Sequence, residues 1–209
     1  MPDPQNLLAF IAASIVLGFT PGPDILYVIT RGAAQGAKAG IAAAAGLATG
    51  IVGHTALCVA GLSALLAASA TAFTIIKWAG AAYLVWLGIR LWRDRGALDL
   101  ADDGERSALG AVYRQTIVMN LLNPKVALFF LAFLPQFVSP GQGPVPVQLA
   151  VLGGVFLVVS FLVMSVAGLA GGALRRVLAR DIRVAKWTRY GAGGVMIALG
   201  VRLLFEEAR

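Results

Sequence analysis

Long apolar runs separated by short polar or charged stretches make up most of this chain. In order, they predict helices over about 7–30, 39–67, 73–92, 112–138, 147–174 and 187–205. Each run has roughly the 20 residues that cross a bilayer as helix, so the pattern predicts six membrane spans. Two of the six are interrupted. The first carries Phe19-Thr20-Pro21-Gly22-Pro23-Asp24 in its middle, and the fourth carries Asn120-Leu121-Leu122-Asn123-Pro124-Lys125. Proline lacks the backbone donor and clashes with the preceding turn, so each helix must break or restart there. In hydrocarbon such a break is tolerated only where protein or a water-filled cavity satisfies the freed backbone groups.

Thr20-Pro21 and Asn123-Pro124 each set a capping residue before a proline, which is how helices begin. Each break is therefore expected to restart a half-helix whose N-terminus points at the middle of the membrane. The interrupted segments are the first of each set of three, and three spans per half force the halves into opposite orientations. The expected architecture is an all-α integral membrane protein of six transmembrane helices. It forms two inverted three-helix repeats, residues 1–92 and 112–209, joined by the charged linker 93–111. A short text repeat supports the duplication: Leu87-Gly88-Ile89-Arg90-Leu91 returns as Leu199-Gly200-Val201-Arg202-Leu203, and the same offset maps Lys77 onto Arg189. Interrupted helices at corresponding positions of two halves point to a transporter binding site.

Composition narrows the class. Of 209 residues, 59% are hydrophobic and 13% charged, against about 25% charged in soluble domains. The net charge of +7 reflects topology rather than nucleic acid, because the basic residues gather at segment ends. Arg31, Lys38, Arg90, Arg93, Arg95, Arg106, Arg114, Arg175, Arg176, Arg180, Arg183, Lys186 and Arg189 fall on one side; Lys77, Arg202 and Arg209 fall on the other. The rich side is expected to be cytoplasmic, with both termini outside. Asp3, with no Lys or Arg before the first run, lacks the basic start of a cleavable signal, so the first segment is expected to stay. The glycines of the second run, Gly36, Gly40, Gly46, Gly50 and Gly53, read as close helix packing. A lone Cys58 excludes an internal disulfide or redox pair and reads as a small buried apolar residue.

The candidate chemistry lies at the two breaks. Free donors and the positive dipole end of a half-helix favour a carboxylate. Lys125 adds a cation and Asp24 an anion, which together suit a zwitterionic amino acid. The bland alternative is a structural Asp24–Lys125 bridge with prolines acting as kinks. The expected substrate-binding residues are Thr20, Pro21, Gly22, Pro23, Asp24, Asn120, Asn123, Pro124 and Lys125. Asp24 and then His54 are the candidates for proton coupling, although His54 also fits a satisfied interior residue. No catalytic set, metal cluster or phosphate loop stands in the sequence, so neither enzymatic activity nor a cofactor is expected. A metal-ion or small-solute permease and an intramembrane redox or enzymatic protein remain as other readings. One His and one Cys supply few soft metal ligands.

Thr20–Asp24 (TPGPD), Lys77 followed by GAAYLVWLG over 80–88, and NPK with a following Phe pair over 123–130 resemble the lysine exporter family. The likeness spans nearly the whole chain. It implies a bacterial inner-membrane exporter, driven by the proton motive force, of amino acids such as lysine, threonine, homoserine or leucine. The expected partners are the amino acid, protons and the lipid bilayer, with a homodimer possible.

Overall fold

The computed structural model describes residues 2–62, 70–93, 107–139 and 141–173, and helical positions among 186–201. Among the described residues every regular element is a helix. Helix α1 is Pro4–Phe19, α2 Pro23–Gln35, and α3 Ala37–Leu57, which continues as a π-helical turn over Cys58–Leu62. Helix α4 is Ala70–Arg93, and α5 is Leu109–Leu121. Helix α6, Pro124–Leu128, runs on through a π turn at Phe129–Phe133 and a 3₁₀ turn at Leu134–Phe137. Helix α7 is Val145–Leu169. Ala37–Gly61 and Val145–Leu169 are each long and apolar enough to cross a membrane. Two further candidate spans are bent pairs: α1 with α2 at 61°, and α5 with α6 at 49°.

Both breaks form where the prolines demand them, but the first restarts later than the sequence suggests. Thr20 closes α1 as its C-cap and sends its hydroxyl back to the Val16 carbonyl at 2.8 Å. The N-cap of α2 is Gly22, and Pro23 rather than Pro21 takes the first helical position. The reason is the second proline. A residue before proline is pushed out of the helical region, and Gly22 precedes Pro23 in fully extended backbone (φ −173°, ψ 175°). Helix therefore cannot start at Pro21. At the second break the expected cap holds: the Asn123 side chain accepts from the Lys125 amide at 3.0 Å, with Pro124 in the first position.

The link expected at Arg31 to Lys38 contracts to one residue. Arg31 is buried within α2, and Gly36 alone turns the chain into α3 with φ +86°, a conformation glycine adopts without a Cβ penalty. The other glycines of that run do bring helices together. Gly40 meets the backbone of Gly168 on α7, while Gly46, Gly50 and Gly53 face α5. Below them Phe10, Phe129, Phe130, Phe133, Phe137 and Phe156 form a continuous aromatic core, with Phe129 and Phe156 centroids 4.9 Å apart. Cys58 lies in this core as expected, its thiol donating to the Phe130 carbonyl at 3.4 Å.

Helix α4 packs on the last helical stretch through two reciprocal contacts. A Cβ added to Gly88 would lie 2.5 Å from the Gly193 carbonyl oxygen, and one added to Gly200 would lie 2.8 Å from that of Ala81. The offset that relates Gly88 to Gly200 also relates Ala81 to Gly193, so each contact is the image of the other. Most of the linker (94–106) and the basic loop from Arg175 to Arg183 lie outside the described residues, as do the ends of the second and sixth runs.

Candidate functional site at the two helix breaks

The restarts of α2 and α6 place their charges at matching positions. Asp24 follows Gly22-Pro23, and Lys125 follows Asn123-Pro124, so each charge is the second residue of its helix. Both side chains are buried, whereas Pro23 and Pro124 are exposed. The prolines shape the break and the charges turn inward.

Each charge is held by the residue just ahead of the other helix's break. Asp24 Oδ2 accepts from Asn120 Nδ2 at 3.2 Å. Lys125 Nζ donates to the Thr20 carbonyl at 3.5 Å. A Cβ on Gly22 would stand in van der Waals contact with that ammonium, 3.4 Å away. The hydrogen bonds of Asp24 and Lys125 thus go to Asn120 and Thr20 rather than to each other, although the two charges lie close enough to act on one another. Asp24 Oδ1, Asn120 Oδ1 and Asn123 Nδ2 are buried with no hydrogen-bond partner. A buried unpaired polar atom costs about 1–3 kcal/mol; the Asn123 amide is near enough to the Asp24 carboxylate to answer it in part, and what is left suits a place where a ligand or water completes the set.

A narrow cavity joins these groups. Asp24, Asn120 and Lys125 are among its lining residues, with Leu17, Leu47, Ile51, Phe156, Ser160 and Met164. Asn120 reaches the site because Gly50 on α3 lets α5 come close: a Cβ there would sit 2.6 Å from Asn120 Oδ1. His54, one turn beyond, is near but separate. Its Nε2 lies 3.0 Å from the Asn120 backbone oxygen, and its ring stacks 5.7 Å from Phe130. Of the residues expected from the sequence, Asp24, Asn120 and Lys125 line the cavity, while Thr20, Gly22 and Asn123 lie at the breaks beside Lys125 without lining it. Pro21 is buried. Ser160 was not foreseen. The available signal was a lone hydroxyl in the apolar middle of α7, but such serines are common in packed helices.

Among the described residues, apolar helices of membrane-spanning length and two bent pairs broken beside buried charges of opposite sign suit a membrane translocator. A family model for LysE type translocators matches residues 15–207, and the chain belongs to that family. It is 40% identical over 157 residues to a homoserine/homoserine lactone efflux protein of Salmonella typhimurium, covering 75% of this chain and 76% of that one. It is 29% identical over 199 residues to a leucine efflux protein of Klebsiella pneumoniae, covering 95% and 94%. No solved structure matches.

Proposed function

We propose that the protein exports amino acids or close derivatives across the bacterial inner membrane, exchanging a zwitterionic substrate for a proton at the cavity between Asp24 and Lys125. The observation that carries this reading is the Lys125 ammonium. It is 7% exposed, it stands at a helix start where the dipole repels it, and its hydrogen bond is a long one to a carbonyl. Asp24 lies near enough to act on it electrostatically but does not bond to it, and a substrate carboxylate would give it a direct anionic partner. Asp24, with a free oxygen toward the same space, suits the substrate ammonium. The names of the efflux relatives agree with such a cargo.

The same reading takes six spans in two inverted halves with both termini outside. The Lys/Arg asymmetry supports the orientation. The image contacts Gly88–Gly193 and Gly200–Ala81, and the matched positions of Asp24 and Lys125, support the inverted repeat. In the coupling step a proton on Asp24 gives way to the substrate ammonium, so the two compete for one carboxylate. His54 is the second candidate for the proton.

The test uses protein reconstituted in liposomes loaded with a panel of labelled amino acids. An inward proton gradient should accelerate release of at least one of them. Asp24→Asn should still exchange substrate while losing its response to an imposed pH gradient. If that variant still drives uphill transport on the pH gradient alone, the carrier is elsewhere and His54 is next. Release of no amino acid by the unaltered protein would sink the cargo assignment.

A further inference from the structure

Hydroxyl groups within apolar helices normally return to the carbonyl one turn back. Ser14, Thr20, Thr49, Thr55 and Thr116 all do so here, at 2.7 to 3.0 Å. On α7, the Ser165 hydroxyl is buried without a hydrogen-bond partner among the described residues, and Ser160 does not return to a carbonyl either. Of the two, Ser160 alone lines the cavity, where it is 6% exposed and the one hydroxyl among the lining residues. The walls beside it are Phe156 of its own helix, Leu17 of α1, and Leu47 and Ile51 of α3. Beyond the single anion and single cation, nothing else on the cavity wall is charged.

We propose that Ser160 is the specificity-determining residue of the site, reading an oxygen on a short, uncharged substrate side chain. The inference deepens the export reading and rests on it. Asp24 and Lys125 are satisfied by the ammonium and carboxylate that every amino acid carries. What remains for the side chain is an apolar wall with one unpaired hydroxyl, which can donate to or accept from a substrate hydroxyl or carbonyl. A second ammonium, as on lysine, finds no second carboxylate there and would be left buried and unpaired. A purely aliphatic side chain fits the wall but leaves Ser160 unsatisfied. Sites that hydrogen-bond a substrate hydroxyl discriminate far more sharply than apolar pockets do.

The test measures exchange in proteoliposomes with two isosteric pairs, threonine against valine and homoserine against norvaline, with lysine as the cationic contrast. The unaltered protein should favour the hydroxyl member of at least one pair by about 10-fold or more, and carry lysine poorly. Ser160→Ala should bring that ratio close to one while still exchanging the aliphatic member, which shows that the variant folds. Ser160→Thr, which keeps the hydroxyl, should keep the preference. Equal rates within both pairs in the unaltered protein, or a ratio unchanged in Ser160→Ala, would overturn the inference and leave the export reading standing. Lysine carried as fast as the best neutral substrate would overturn it as well. Transport of none of these amino acids, nor of any in the wider panel, would overturn the export reading, and the inference with it.

Discussion

A lysine ammonium at a buried helix start is held against two opposing effects. Burial strips its hydration, and the positive end of the helix repels it by roughly 0.3–1 kcal/mol. Lys125 meets both, and Asn123 caps the turn that carries it. Asp24 is the opposite case, since a carboxylate at a helix start is favoured by the dipole. Removing the cation should therefore harm binding more than folding. Lys125→Ala is expected to weaken substrate affinity by about 10- to 100-fold, the range of a lost charge-assisted hydrogen bond. Equilibrium binding to purified protein measures it, with Lys77→Ala as a comparison expected to change little. Equal and small effects at both positions would leave Lys125 a structural role only. Both charges were legible in the sequence because an ionisable residue stands out in an apolar run. That each is held at the other broken helix, by Asn120 and by the Thr20 carbonyl, was not. Such pairing depends on which helices cross, and no local pattern encodes it.

At the scale of elements, glycine decides where polar groups can meet. Gly50 lets α3 and α5 approach until Asn120 reaches Asp24, whereas Gly154 on α7 has nothing within 4 Å of an added Cβ. Gly50→Ala should thus force the helices apart, destabilising the protein by about 1–3 kcal/mol as overpacking does. Gly154→Ala should be neutral or slightly stabilising through helix propensity. Thermal unfolding in detergent compares the two, and equal midpoints would mean that close packing at Gly50 contributes nothing. The small-residue faces were legible from composition and spacing. The restart of α2 was only partly so. One proline announces a break, but two in alternation compete for the first helical position, and the extended backbone imposed on Gly22 gives it to Pro23.

For the molecule as a whole, the proposed orientation and inverted repeat would set which face opens to which compartment. The cavity is narrow in this conformation, so admitting an amino acid would require it to widen. Inverted halves would let one half open inward and the other outward around the same pair of charges. Single cysteines introduced within 93–111 and within 139–146 should be labelled by a membrane-impermeant reagent from opposite sides, the former from the cytoplasm. Labelling of both from one side would overturn the arrangement. Membership in a helical, membrane-embedded translocator family followed from sequence alone. Hydrocarbon demands long uninterrupted apolar helices, so every departure from them is visible as a proline, a charge or a cap. Only the tertiary structure decided the rest: that Asp24 and Lys125 bond to Asn120 and Thr20 rather than to each other, and that Ser160 faces the cavity. Those outcomes depend on the rotation of each helix about its axis and on close approaches at glycine. Both are set by packing between residues far apart in the chain, such as Asn120 on Gly50 and Gly168 on Gly40.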